Sequence, residues 1–186
     1  MRQLTGTHKF QTQAPILEGI LESWRVSLGG DFDAYRNHCY RVLNFSLAFC
    51  GDSAETLSKV SVAVAFHDLG IWTDHTYDYL GPSQQLARAY LAKSNQGAWS
   101  EEIETMIGQH HRLRKYQTNP GWLVEPFRKA DWIDVSRGWL KFGLSSALVA
   151  ETLSTFPNAG FHKRLIALTR QRLKTHPFSP LPMMRL

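Results

Sequence analysis

The chain has 186 residues, 43% of them hydrophobic and 20% charged, which are ordinary values for one globular domain with a sizeable core. Its formal net charge of +5 at pH 7 is mild, and we expect it to be spread along the chain. The sequence lacks the dense Lys/Arg blocks of a nucleic-acid-binding arm. This balance predicts a small anionic partner rather than nucleic acid. No apolar run approaches the roughly 18–20 residues of a membrane helix, and residues 1–13 lack the apolar core of a signal peptide.

Hydrophobic spacing predicts an all-α domain of seven or eight helices, without sustained strand alternation. An irregular lead-in over residues 1–13 precedes the first helix, and a Pro-rich tail follows the last. Six of the predicted helices cover residues 15–27, 33–49, 82–95, 123–137, 145–153 and 160–174. The third opens at residues 52–55 and stops at Gly70, and the fifth follows Ser100. Ser100 is expected to cap the fifth of them, which runs into residues 109–115. Residues 71–81 form an aromatic and polar loop that suits either a packed surface loop or a pocket wall.

Both cysteines of the chain, Cys39 and Cys50, fall on the second predicted helix. Eleven residues of helix hold two Cα atoms about 16 Å apart, whereas a disulfide needs them within about 7 Å. We therefore expect free thiols, which are typical of a reduced, cytoplasmic protein.

The third predicted helix carries the most informative pair of residues. Asp52 and Glu55 resemble a capping box that opens it, and an apolar run over residues 60–66 leads directly into His67 and Asp68. Gly70 is expected to end this helix. Burying an imidazole and a carboxylate after an apolar run is costly unless a charge partner or a metal ion compensates.

Two other predicted helices also place an ionisable residue within an apolar stripe. His38 lies in the stripe of the second helix, and Asp131 lies in that of the sixth. A single histidine or aspartate in such a stripe is usually a hydrogen-bonded core residue or half of an ion pair. Together with His67 and Asp68, however, they would supply two imidazole nitrogens and two carboxylates, a suitable shell for a divalent cation.

The order and local sequence of these residues resemble the HD-domain superfamily of metal-dependent phosphohydrolases, which is named for its paired His-Asp. The matching segments are Asn37-His38, Phe66-His67-Asp68-Leu69-Gly70 and Lys129-Ala130-Asp131. The resemblance covers about residues 33–137 and implies one HD-like domain over residues 1–186, with a C-terminal helix and tail over residues 157–186. It also implies a compact α-helical bundle around a metal ion, with His38, His67, Asp68 and Asp131 as ligands.

Several assignments stay open at this point. Asp134, one turn beyond Asp131, is a competing ligand, although the Ala-Asp context favours Asp131. Family members bind one ion or two, and His75, His110 and His111 lie where additional ligands would fall. A single ion is the first choice, with His110 and His111 as catalytic residues; the alternative is a second ion. Mixed nitrogen and oxygen ligands do not distinguish among Mn, Mg, Fe, Co, Ni and Zn.

The resemblance implies hydrolysis of a nucleotide or another small phosphate ester by metal-activated water. Asp68 is expected to orient or deprotonate that water. Arg112, Arg114 and Lys115 directly follow the histidine pair and are the candidate phosphate-binding residues. Four further basic residues flank the ligands: Arg36, Arg41, Arg128 and Lys129.

Three other functions fit the same scaffold. The superfamily includes hydratases of small nitriles such as cyanamide, and oxygenases that use a two-iron centre. A hydratase would not need a phosphate-binding cluster, whereas an oxygenase would need the second ion. A non-catalytic nucleotide-binding module is the remaining alternative. The sequence leaves the oligomeric state undecided.

Overall fold

The computed structural model describes residues 9–184, and no strand occurs among them. The all-α prediction is therefore confirmed, with eight helices longer than one turn in this part of the chain. Including two single-turn helices, the elements are α1 (Pro15–Ser23), α2 (Arg25–Leu28), α3 (Phe32–Cys50), α4 (Ala54–Phe66), α5 (Gly70–Thr73), α6 (Leu80–Lys93), α7 (Ser100–Gln109), α8 (Val124–Val135), α9 (Ser146–Thr155) and α10 (Phe161–Thr175). The predicted lead-in is irregular over residues 9–13, and residues 1–8 lie outside the described part.

Helix α3 runs through the middle of the bundle. Every residue from His38 to Leu47 is buried, so that all faces of this segment are covered by other elements. Helix α8 packs along it most extensively and α4 packs against another side, while α4 also contacts α1, α6 and α7. A helix that is buried all round must be largely apolar or satisfy its polar groups within the protein. The Asn44 amide of α3 donates to the carbonyl oxygens of Gln11 and Tyr40, whereas the Ser46 hydroxyl has no partner among the described residues.

The first and third predicted helices differ from the predictions in their boundaries. The first helix is interrupted at Trp24, after which α2 adds one turn up to Gly29. Ser53, not Asp52, caps α4, because its hydroxyl accepts a hydrogen bond from the Thr56 backbone N–H at 3.2 Å. This shift of one residue leaves Glu55 outside a capping-box position.

Helix α7 also begins and ends differently from the prediction. Ser100 is its first residue and caps nothing, because a 3-10 turn over Gly97–Trp99 leads straight into the helix and already gives Trp99 helical backbone angles. The helix ends at Gln109 and does not continue to residue 115. The segment after the histidine pair packs against α8 instead, where Arg128 and Trp132 donate to the Arg112 carbonyl oxygen.

Gly70 does not end a helix, contrary to the prediction. Its lack of a side chain allows another segment of the chain to pack closely against it. It begins the short helix α5, where the backbone of α6 crosses closely: a Cβ added at Gly70 would lie 2.7 Å from the Tyr79 carbonyl oxygen and 3.0 Å from Pro82 Cβ. Its N–H also donates to the Ser83 hydroxyl at 3.0 Å. This contact holds the segment after His67 and Asp68 against α6.

The thiols behave as predicted. Cys39 and Cys50 both lie on α3 and are free. Across residues 9–184, every helix is too short or too polar to cross a membrane.

We expect Gly70→Ala to lower the free energy of unfolding by about 1–3 kcal/mol, because the new methyl group must displace backbone atoms of α6. Gly19→Ala is the matched control, since Gly19 lies within α1 and no atom would lie within 4 Å of its Cβ. That control should be neutral or should stabilise by up to about 1 kcal/mol. Urea denaturation measures both changes, and equal stabilities would contradict this account of Gly70.

Candidate metal centre

Three elements bring four ionisable side chains to one point in the core. His38 comes from the middle of α3, His67 and Asp68 come from the turn between α4 and α5, and Asp131 comes from α8. All four are at most 2% exposed. They meet because α3 packs against both α4 and α8.

The side chains converge through their coordinating atoms. The Nε2 atoms of His38 and His67 lie 2.8 Å apart. Asp68 Oδ2 lies 3.6 Å from the first of these nitrogens and 3.5 Å from the second, and Asp131 Oδ1 lies 3.7 Å and 3.9 Å from them. One ligand atom from each of His38, His67 and Asp68 falls within 4.8 Å of the others, so these residues could hold a metal ion.

Hydrogen bonding fixes which nitrogen of His67 points to the centre. Its Nδ1 donates to the Val64 carbonyl oxygen at 2.8 Å, because a carbonyl can only accept. Burial is the main cause that lowers the pKa of His67, to about 3, so the ring is neutral at neutral pH. Its Nε2 therefore presents a lone pair to the centre.

A buried ion pair on the other side of the site fixes His38 in the same way. His38 Nδ1 lies 2.6 Å from Asp134 Oδ2, and Arg41 donates to both oxygens of this carboxylate. Burial opposes ionisation of Asp134, but the bonds from His38 and Arg41 outweigh it and hold the pKa well below its usual range. Since an ionised carboxylate accepts, Nδ1 of His38 carries the proton, and in the neutral ring Nε2 is a lone pair facing His67.

The arrangement is unsatisfied without a cation. Asp68 Oδ1 and both oxygens of Asp131 are buried and have no hydrogen-bond partner among the described residues. Buried carboxylate oxygens without hydrogen bonds are costly in a dry core, whereas a divalent ion would attract them and the lone pair on Nε2 of His67. The residues present therefore fit a metal ion.

His110 and His111 border the same centre. The Nε2 atom of buried His110 lies 3.4 Å from Asp68 Oδ1, and Nδ1 of His111 lies 3.4 Å from Asp131 Oδ2. The Tyr79 hydroxyl lies 2.7 Å from Nε2 of His111. The ligand atoms of Asp68, His110 and His111 form a second group within 4.8 Å of one another, and Asp68 belongs to both groups.

The two histidines differ in their electrostatics. Burial lowers the pKa of His111 well below its usual value, and the neighbouring His110 adds to the effect. For His110, burial acts in the same direction, but the contacts with Asp68 and Asp131 outweigh it and raise the pKa. Burial and the charge on Asp68 raise the pKa of Tyr79 well above 10, so this hydroxyl keeps its proton.

The other candidate residues have different surroundings. Asp134 faces Arg41 and the far nitrogen of His38, whereas Asp131 faces the cluster. His75 is exposed in the loop after α5. Arg114 and Lys115 are also exposed, and Arg112 is partly buried.

The flanking basic residues have structural partners instead. Arg36 pairs with Glu18, Arg128 pairs with Glu125, and Arg41 pairs with Asp134. Lys129 lies over the ring of Phe49.

Sequence reasoning placed Arg41 beside the ligands but missed its role, and it missed the contacts of Tyr79 and Phe161. Arg41 was visible as a neighbour of His38, because i and i+3 share a helix face, but the pattern does not reveal its carboxylate partner. Tyr79 reaches His111 from the loop before α6, and the ring of Phe161 from α10 stacks on His38 with ring centroids 4.0 Å apart. Nothing in the local sequence indicates either contact.

Comparison with known proteins adds no relative to this description. The chain matches no protein-family model, no curated protein and no solved structure.

We expect Asp131→Asn to raise the free energy of unfolding of the metal-free protein by about 1–3 kcal/mol at pH 8. Burial is the main cause that raises the pKa of Asp131 to about 7, so at pH 8 the folded protein contains an ionised carboxylate without partners. This increase in the free energy of unfolding should shrink as the pH falls through 7 towards about 3.9, the ordinary aspartate pKa. The reason is that wild-type Asp131 then becomes protonated in the folded state.

Urea denaturation in EDTA from pH 5 to pH 8 measures this effect. Asp33→Asn is the control, since Asp33 is an exposed carboxylate on α3 and should change stability by less than about 0.5 kcal/mol. A loss of stability in Asp131→Asn at pH 8 would indicate a structural role for the carboxylate and not a ligand role.

Proposed function

We propose that the chain is a metal-dependent hydrolase of the HD type that acts on a nucleotide or another small phosphate ester. The observation that carries this proposal is the convergence of two imidazoles and two carboxylates in a buried core, where three of the four carboxylate oxygens have no hydrogen-bond partner among the described residues. Natural proteins rarely keep such groups together unless a ligand compensates for the desolvation. His38, His67, Asp68 and Asp131 would hold the ion.

A bound divalent ion would lower the pKa of a water molecule and polarise a phosphoryl oxygen. The remaining steps are assigned to side chains of this protein. Asp68 orients or deprotonates the attacking water, because one of its oxygens faces the imidazole pair and the other faces His110. His110, whose pKa is raised, keeps a proton at Nε2 and can donate it to the leaving group. Tyr79 orients His111 through its hydroxyl.

Substrate approaches the cluster from the side of His111. The side chain of His111 is 14% exposed, whereas the side chains of the four candidate ligands are at most 3% exposed. Arg112, Arg114 and Lys115 follow His111 directly, beyond the end of α7. Basic groups next to the most exposed member of the cluster suit a phosphate that approaches the ion.

A second ion is the main alternative arrangement. Asp68, His110 and His111 form a second group of ligand atoms that could hold it, and Asp68 belongs to both groups. The same observation favours the second candidate function, oxidation at a two-iron centre. In that case His110 and His111 would act as ligands and not as acid and base.

Metal analysis of the purified, reconstituted protein should find about one divalent ion per chain, and two if the shared-carboxylate arrangement is correct. His67→Ala and Asp131→Ala should each lose the ion, because each removes a converging ligand. His75→Ala should keep it, since His75 is an exposed histidine outside the cluster. Circular dichroism checks that the variants fold, and a folded wild-type protein without metal after reconstitution would contradict the proposal.

A screen of nucleoside mono-, di- and triphosphates, cyclic nucleotides and an aryl phosphate should identify a hydrolysed ester. On that ester, the double variant Arg114→Gln, Lys115→Gln should lower kcat/KM about tenfold, as expected for the loss of charge-assisted contacts. Lys93→Gln, Lys174→Gln removes the same charge from exposed sites elsewhere and should have little effect. No hydrolysis across the screen would shift the assignment to the hydratase class.

A further inference from the structure

An open hollow of about 390 Å³ lies between α10 and the loop that follows α5, apart from the candidate ligands. All of its ionisable side chains other than Tyr77 are basic, and no carboxylate lines it. The basic lining residues are Arg164 and Arg172 from α10, with His75 and His176 from the adjoining segments. Ile71 and Leu168 add apolar surface to the same lining. The hollow therefore combines positive charge with an apolar wall.

The charge of the chain concentrates in this region, which corrects the expectation of an even spread. Residues 152–186 contain six Lys and Arg residues and no Asp or Glu. Residues 1–151 contain fifteen basic and sixteen acidic residues and are nearly neutral. The whole net positive charge is thus carried by residues 152–186, and five of their six basic residues lie on α10, where an anion would be attracted.

Contacts within the protein hold the walls of the hollow in place. The Tyr77 hydroxyl lies 2.9 Å from the Thr169 hydroxyl, which ties the loop to α10. Arg172 Nε donates to the Ser179 carbonyl oxygen at 2.9 Å, and Arg164 pairs with Asp31 at 3.1 Å. His75 adopts a left-handed backbone with φ of 50°, a conformation that costs energy and recurs at functional sites. Preformed walls reduce the entropy cost of binding a ligand.

We propose that this hollow binds a phosphorylated small molecule of nucleotide size, at a site separate from the metal centre. Its volume lies in the usual range for small-ligand sites. Arg172 would contact the phosphates with its guanidinium fork, and Ile71 and Leu168 would cover the less polar part of the ligand. This site requires neither a bound metal nor hydrolysis, so it does not rest on the proposed function.

Isothermal titration calorimetry of the full chain with ADP and with pyrophosphate, both in EDTA, tests the site without the metal. Arg172→Gln should weaken binding of both probes about tenfold or more, because it removes charge-assisted hydrogen bonds. Arg172→Lys should recover only part of the affinity, since an ammonium lacks the fork geometry. Arg170→Gln is the matched control: Arg170 is exposed on α10, does not line the hollow, and should bind like wild type.

Three results would overturn the proposal. The first is no binding of either probe at millimolar concentration. The second is equal weakening in Arg170→Gln and Arg172→Gln, which would mean that a diffuse positive surface attracts any polyanion. The third is binding that occurs only with the metal restored, which would place the anion at the metal centre. Thermal unfolding of each variant separates loss of binding from loss of fold. Failure of hydrolysis leaves this result unchanged.

Discussion

The buried carboxylate of Asp134 joins the two helices on which the site depends. It accepts from Arg41 and His38 on α3 while its own backbone belongs to α8, so one ion pair ties together the two helices that pack most extensively. Removing one partner from such a pair typically costs about 3–5 kcal/mol, because the other charge stays buried. The same bond holds the proton of His38 on Nδ1 and so turns Nε2 towards the centre. A structural interaction thereby sets the chemistry of a ligand.

The centre itself is electrostatically unfavourable in the metal-free protein. Burial neutralises His67 and raises the pKa of Asp131, which means that the fold does not provide enough internal partners for these groups. The bundle has a continuous apolar core, which includes Tyr35, Leu43 and Phe127. Burial of this core stabilises the fold enough to offset the unfavourable electrostatics of the centre. Sites of this kind are where stability and function conflict, because substitutions that relieve the charge also remove the ligand.

Much of the fold could be predicted from the sequence, because amphipathic periodicity is a local property. The stripe through His38 marked α3 to within one residue at each end, and α10 was equally clear. The errors lie where contacts with other segments determine the helix boundary. Ser53 replaces Asp52 as the cap of α4, and α7 ends at Gln109. Gly70 looked like a helix stop, whereas its role is to let the backbone of α6 approach, which no local pattern contains.

The sequence by itself determined which residues form the candidate site. It placed His38, His67, Asp68 and Asp131 in apolar stripes, where burial forces ionisable groups to find compensation. Only the tertiary structure decided how they divide their tasks. It turned Asp131 to the cluster and Asp134 to Arg41, although the two lie one turn apart, and it brought Tyr79 and Phe161 to the histidines. The reason is that side-chain type follows from one position, whereas a partner depends on the packing of helices distant in sequence.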